Sequence, residues 1–297
     1  MSVAAPEKRG GRLAAGARAS PGRDAWRMFL RNRAALAGLV LLGLVVLMTV
    51  FGPLLYPVDP FDLVSTPLTP PGAEDAPLGT DYIGRDLLAG ILAGGRVSLA
   101  VGLVAAALTM TIGVAIGALA GFHGGAVDRL LMRVTEFFQV LPPLLLAMTI
   151  VTLFSPSVAT VAVSIGIVSW PSAARLTRAE FLRIRNLEYV TAARSIGARP
   201  GRLIWRVILP NALPPLIVSA TLAIGTAILF ESGLSFLGLG DPNVMSWGLM
   251  MGGNRNYLLD AWWAPTIPGV AIFVTVLSIS LIGDGLNEAL NPRLRER

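Results

Sequence analysis

Few residues in this sequence carry side chains that could do covalent or metal chemistry. Its 297 residues include no cysteine, one histidine (His123) and one lysine (Lys8). Without cysteine there is no disulfide, thiolate metal site or thiol nucleophile. Lys8 follows Pro-Glu and not a glycine-rich phosphate loop, so the chain has no ATP site of that kind. We therefore expect no catalytic residue, no metal site and no cofactor in this chain.

The composition points to a membrane protein. Hydrophobic residues make up 54% of the chain, charged residues only 14%, and the mean hydropathy is +0.68. Soluble proteins of ordinary composition carry about 25% charged residues. A sequence pI near 10.6 could suggest nucleic-acid binding, but the arginines flank apolar runs and form no single basic stripe. We therefore expect a membrane lipid environment and no nucleic-acid partner.

Apolar runs of sufficient length predict six transmembrane helices, since a span needs about 20 mostly apolar residues. The fourth run is the shortest, because Pro156 and Pro171 bracket it. The predicted spans are 36–56, 97–121, 137–154, 158–174, 212–236 and 266–287. The prediction is an all-α membrane protein.

The positions of the arginines give the orientation. With the N-terminus in the cytoplasm, the inner segments 1–35, 122–135, 175–211 and 288–297 hold 21 of the 24 Lys and Arg residues. Cytoplasmic loops carry this excess, so both termini are predicted to be cytoplasmic. The predicted organisation is a cytoplasmic arm 1–35, disordered over its first 25 residues, a six-helix domain 36–287 and a cytoplasmic tail 288–297.

Glu231 is a carboxylate inside a predicted span and is the candidate for a residue of the translocation pathway. A carboxylate at the bilayer centre costs about 3 kcal/mol, so it should face protein or water. It is either a pathway or gate residue or a hydrogen-bonded packing residue. Two further observations are structural. Gly113, Gly117 and Gly121 predict close helix packing. The outer segment 238–265 carries tryptophans that suit the aromatic belt or a lid, namely Trp247, Trp262 and Trp263.

The inner segment 175–211 is the most informative part of the chain. Its first half has helical periodicity, Gly197 predicts a helix stop, and Pro200 suits the first position of a second helix. The segment is therefore predicted to be a helix–turn–helix on the cytoplasmic face and not a slack linker.

This segment resembles the cytoplasmic pattern of bacterial ABC importer permeases, which is Glu-Ala-Ala, three residues, Gly, nine residues, Ile, one residue and Leu-Pro. The matching residues are Ala192, Ala193, Gly197, Leu209 and Pro210, with Thr191 in place of Glu and Val207 in place of Ile. Segments 77–86, 233–240, 247–248 and 283–286 resemble the dipeptide and oligopeptide branch and its C-type permease. The resemblance extends from about residue 27 to the end of the chain.

The resemblance implies a type I ABC importer permease fold and a set of partners. These partners are a second homologous permease, two ATPase subunits that bind ATP and Mg²⁺, and an extracytoplasmic solute-binding protein. The implied substrate is a peptide or similar small solute, and the implied location of the chain is the cell (inner) membrane. The residues implied to couple to the ATPase are Thr191, Ala192, Ala193, Arg194, Ser195, Gly197, Leu209 and Pro210. Topology alone would also place the loop arginines on this side of the membrane.

Other functions remain open from the residues alone. Relatives with these motifs also carry nickel chelates or some sugars. An ion-coupled secondary transporter needs intramembrane acid–base pairs, for which Glu231 is the single candidate. A membrane-embedded enzyme would need a nucleophile–base or metal constellation that the composition disfavours, and a non-transporting scaffold is disfavoured by the loop motif.

Overall fold

The computed structural model describes residues 21–290, and over this range the chain is built from helices joined by turns and one ordered outer segment. The α-helices are α1 (Pro21–Arg31), α2 (Arg33–Leu55), α3 (Leu87–His123), α4 (Gly125–Val140), α5 (Pro143–Phe154), α6 (Val158–Arg185), α7 (Glu188–Ser195), α8 (Pro200–Arg202), α9 (Leu209–Phe236), α10 (Trp247–Asn254) and α11 (Trp263–Leu290). A π-helical turn, Leu203–Ile208, joins α8 to α9.

The prediction of an all-α fold with six spans is confirmed. Helices α2, α3, α6 and α11, and the continuous helical segment Pro200–Phe236, are long and apolar enough to cross a bilayer. Helices α4 and α5 make the sixth span if this bent pair is counted as one. The first 20 residues of the predicted arm and residues 291–297 of the predicted tail lie outside the described range.

The third span differs from its prediction over 137–154, because it is broken and longer. Helix α4 ends at Val140 and α5 begins at Pro143, and the two axes meet at 86°. Pro142 and Pro143 carry no N–H group and cannot continue the hydrogen-bond ladder of α4. The apolar pattern of the sequence marks only the second half, since α4 also carries charged residues.

The fourth span, which the prediction makes the shortest, runs for 28 residues from Val158 to Arg185. Ser157 caps its N-terminus by accepting the Thr160 N–H at 3.1 Å. Pro171 is buried inside the helix and does not end it. A proline removes one backbone hydrogen bond, and membrane helices tolerate this where neighbouring helices pack around the site.

Helix α3 packs along α6 through its glycine face, as predicted. A Cβ added at Gly113 would lie 2.5 Å from the Ala173 Cβ, and one at Gly117 would lie 2.3 Å from the Ala174 carbonyl oxygen. Neither distance is sterically possible, so only glycine allows the two helices to approach this closely. This contact forms the centre of the helix bundle.

The outer end of α3 is fixed by Asp86. Its carboxylate accepts the Leu88 N–H at 2.6 Å and so caps the helix N-terminus. The Tyr56 hydroxyl, at the outer end of α2, donates to the same carboxylate. Burial and the bond to Asp86 raise the pKa of Tyr56 to about 12, so the phenol stays protonated as a donor at neutral pH. This pair links α2 to α3.

Candidate functional site

The turn after α7 is a Schellman motif centred on Gly197, as the glycine predicts. The Gly197 N–H donates to the Arg194 carbonyl at 3.0 Å, and the Ala198 N–H donates to the Ala193 carbonyl at 3.1 Å. Gly197 has a φ of +83°, in the left-handed region that favours glycine. The turn therefore has a defined geometry and directs the chain into Pro200.

Helix α7 is held to the bundle by one side. Val190 is fully buried, together with Phe181 and Ile184 of α6, and Leu203 and Ile208 of the π-helical turn. These residues form one apolar cluster with Leu176, Leu216 and Ala118, as well as other members of α3 and α9. This cluster joins α7 to the adjoining ends of the spanning helices α6 and α9.

Most of the predicted coupling residues are on the exposed surface of α7 and the turn that follows it. Thr191, Ala192, Arg194, Ser195 and Gly197 are exposed, and Ala193 is half-buried. The small side chains of Ala192, Ala193 and Ser195 leave the backbone of α7 close to the surface.

Sequence reasoning missed three large apolar side chains that are exposed in the same loop. Ile196 is 88% exposed, Trp205 is 67% exposed and Tyr189 is 45% exposed. An apolar patch on a soluble surface marks an interaction site. The sequence does contain a signal for these residues, because they are large apolar residues in an arginine-rich loop and do not belong to the apolar face that the helix periodicity predicts.

Leu209 and Pro210 lie at the junction between the π-helical turn and α9. The Leu209 N–H donates to the Ile204 carbonyl, five residues earlier. Pro210 has no N–H for the Arg206 carbonyl, which explains why the ordinary helical ladder is interrupted here. The predicted second helix is confirmed, and it continues without a gap from Pro200 to Phe236.

Two arginines brace the base of the loop. The Arg185 Nη1 donates to the Gly121 carbonyl at 2.8 Å, and Arg178 forms a bidentate ion pair with Asp128, with one contact of 2.6 Å. Arg194, Arg199, Arg202 and Arg206 are exposed, and none has an ion-pair partner between residues 26 and 290. The exposed surface of the loop is therefore basic.

Glu231 is not near the loop but lies at the other end of the same helical segment, roughly 45 Å from Pro200 at 1.5 Å per residue. It is 2% exposed. Its Oε1 accepts the Ser235 hydroxyl at 2.8 Å, and its Oε2 accepts the Ser98 hydroxyl of α3 at 3.1 Å. This geometry supports the role of a hydrogen-bonded packing residue.

Trp247, which the sequence places at an interface, is instead buried against α3 and α9. Its indole Nε1 donates to the Ile91 carbonyl at 3.0 Å, and its backbone N–H donates to Ser98 Oγ at 3.3 Å. Gly95 and Gly248 leave no room for a Cβ at the contacts of α10 with α3 and α9, since it would lie 2.6 Å from the Trp247 ring and 2.7 Å from the Ser232 Cα, respectively. The outer ends of α3, α9 and α10 thus form one hydrogen-bonded unit around Ser98, which we call the outer hub (Ser98, Glu231, Ser235 and Trp247).

The described residues form a multi-span helical bundle with an ordered basic loop at one end, which is the architecture of a membrane transport protein. Residues 113–296 match the family of the binding-protein-dependent transport system inner membrane component, and residues 20–71 match the N-terminal TM domain of oligopeptide transport permease C. The chain belongs to the family of binding-protein-dependent transport system inner membrane components.

Individual relatives agree with this assignment. The chain is 41% identical to the di/tripeptide transport system permease protein DppC of Pseudomonas aeruginosa over 93% of each chain. It is 38% identical to the dipeptide transport system permease protein DppC of Haemophilus influenzae, over 93% of this chain and 96% of that protein. It is 34% identical to the oligopeptide transport system permease protein OppC of Bacillus subtilis, over 92% and 90%.

The fold resembles that of an ABC importer permease of known structure. An inward-facing structure of the MetNI methionine ABC transporter matches 68% of this chain and 96% of that chain, with a TM-score of 0.58 and 21% identity. At this identity the likeness concerns the fold alone. It confirms the predicted type I ABC importer permease fold.

Proposed function

We propose that this chain is the C-type permease subunit of an ATP-driven importer for dipeptides or short oligopeptides. The proposal rests on the ordered loop after α6 and on the relatives with 34–41% identity, which are di/tripeptide, dipeptide and oligopeptide transport permeases. The chain provides one half of the translocation pathway and catalyses no reaction.

The remaining functions belong to partner proteins. A second homologous permease completes the pathway, two ABC ATPase subunits bind ATP and Mg²⁺, and an extracytoplasmic binding protein delivers the peptide. The chain itself carries no cofactor. It lies in the cell (inner) membrane with the arm 1–35 and the tail 288–297 in the cytoplasm, so the loop 175–211 faces the ATPase.

The single observation that carries the coupling role is the two-sided geometry of α7. Val190 fixes one side to the bundle, while Ala192 and Ile196 present a small-residue patch and an apolar side chain to a partner. A domain motion passes through a rigidly packed element and is lost in a slack loop. Docking of the ATPase on this surface would therefore move the inner ends of α6 and α9 directly.

The partner set is tested by purifying the complex from a strain that expresses a C-terminally tagged chain. Mass spectrometry should identify a homologous permease and one or two P-loop ATPases. A lone chain, or partners without a nucleotide-binding motif, would contradict the importer assignment and favour a secondary transporter or a scaffold. Uptake by the reconstituted complex of a dipeptide, but not of a nickel chelate or a sugar, tests the solute.

A further inference from the structure

The break between α4 and α5 exposes polar backbone. Leu141 and Pro142 have extended backbone conformations between the two helices. Because Pro142 and Pro143 have no N–H groups, the carbonyl oxygens of Phe138 and Gln139 lack the donors that a continuous helix would supply. Gln139 and Val140 beside them are exposed, the latter by 82%.

Two contacts place this break beside the middle of the spanning helix α6. Asp128, near the start of α4, pairs with Arg178, and Phe138, near its end, contacts Trp170 with ring centroids 5.3 Å apart. The contacts are ten residues apart on α4 and eight apart on α6, so the helices run side by side in opposite directions. Trp170 is close to the middle of α6, and the break is therefore at a similar depth.

Irregular backbone at this depth does not face lipid. It is found where protein buries it or where it lines a water-filled cavity, because hydrocarbon offers no hydrogen-bond partner. In many transporters, discontinuous helices of this kind surround the solute site.

The charges on α4 favour water over a dry protein contact. Arg129, Arg133 and Glu136 are exposed on one side of the helix, at spacings of four and three residues, and they lead toward the break. Within residues 26–290 none of the three has an ion-pair partner. Burying unpaired charges in a dry interface is strongly unfavourable, whereas a hydrated passage accommodates them.

We propose that the charged side of α4 and the break at residues 138–143 line the hydrated passage between the two permeases and contact the peptide in transit. This inference rests on the proposed importer function. The free carbonyls of Phe138 and Gln139, with the Glu136 carboxylate, are hydrogen-bond acceptors. They suit the N–H groups and the amino terminus of a peptide, which every substrate of this class has whatever its side chains.

The natural absence of cysteine makes this inference directly testable by single-cysteine labelling. Gln139→Cys should react with a membrane-impermeant, water-soluble thiol reagent, and Leu44→Cys, on the exposed apolar face of α2, is the lipid-facing control. Only the thiolate reacts, and hydrocarbon suppresses ionisation, so we expect labelling of Gln139→Cys to be at least about tenfold faster. Saturating dipeptide and binding protein should slow it.

The measurement is made on the complete complex in nanodiscs, after confirming that binding protein and peptide stimulate its ATPase. Two results would overturn the inference while leaving the importer function intact. In the first, Gln139→Cys is labelled no faster than Leu44→Cys. In the second, Gln139→Cys is labelled fast but peptide does not change the rate. A complex that never forms contradicts the importer function itself. Ala147→Cys, fully buried in α5, reports the rate for a dry protein interior.

A second variant tests the break itself. Replacing both Pro142 and Pro143 with alanine restores the two missing donors and lets α4 and α5 join. The variant should fold, with an unfolding temperature close to that of the wild type, but peptide uptake should fall at least about tenfold because the acceptors are no longer free. Pro53→Ala, which removes a proline from within α2, is the control and should transport normally. Normal uptake by the double variant would refute the role of the break.

Discussion

Replacing Ile196 with alanine should weaken docking of the ATPase without unfolding the permease. Ile196 is 88% exposed, so the isolated chain gains almost nothing from its side chain. Val190, on the other side of the same helix, is fully buried and holds α7 in place. The two residues therefore separate the interface from the fold.

The magnitude follows from the atoms removed. Ile→Ala deletes three carbon groups, and burial of each contributes about 0.8 kcal/mol. If the ATPase groove buries the whole side chain, the loss is about 2.4 kcal/mol, or an approximately 50-fold weaker Kd. The thermal unfolding temperature of the permease should stay the same, because exposed substitutions usually change stability by no more than about 0.5 kcal/mol.

The assay measures binding of purified ATPase to the permease pair in nanodiscs, together with peptide-stimulated ATP hydrolysis. Leu259→Ala is the matched control, since Leu259 is 97% exposed but belongs to the predicted outer loop. An Ile196→Ala complex whose Kd stays within about twofold of wild type would refute docking at this surface. A similar loss in Leu259→Ala would show that the effect is not specific to the loop.

Three further predictions concern the fold around the candidate sites. Gly197→Ala should destabilise the turn after α7 by about 1–2 kcal/mol, because the φ of Gly197 is +83°. Gly201→Ala is the control and should stabilise the helix by about 0.8–1 kcal/mol, since a Cβ at Gly201 meets no neighbour. Equal rates of hydrogen exchange around the turn in the two variants would contradict this prediction. Gly117→Val should lower the unfolding temperature by overpacking worth at least about 1–3 kcal/mol, while Gly43→Val, which meets no neighbour, should not. Glu231→Leu should cost about 1–3 kcal/mol for each serine hydroxyl left without an acceptor, and thermal stability equal to wild type would exclude a packing role.

Local chemistry explains why the coupling turn is predictable from the sequence. Gly197 sits where a left-handed residue ends a helix, and Pro200 sits where the next helix needs no N–H. Both rules involve only near neighbours along the chain. The close contact of α3 with α6 is predictable for a similar reason, because three glycines at four-residue spacing define one face.

The broken span and the buried tryptophan depend on contacts that local patterns do not contain. The charges of Arg129, Arg133 and Glu136 give α4 the sequence pattern of a cytoplasmic segment, and only the contact of Phe138 with Trp170 shows that its end lies beside the middle of α6. Trp247 has the composition of an interfacial residue, but glycines distant in sequence let α10 pack against α3. Hydropathy measures the transfer of a residue into lipid and does not predict where helices enclose water between them.

The proposed coupling loop and the outer hub lie at the two ends of one continuous helical segment. The segment Pro200–Phe236 is continuous and about 55 Å long at 1.5 Å per residue, so it is longer than the roughly 30 Å thickness of the hydrocarbon core. Its outer end is fixed by Glu231, and its inner end moves with α7 through the buried cluster around Leu203. Displacement applied at α7 must therefore be absorbed between these ends. The helical hydrogen bonds are weakest at the π-helical turn and at Pro214 and Pro215, which follow it in α9. We therefore expect the inner half of α9 to bend at these points while the outer hub stays in place.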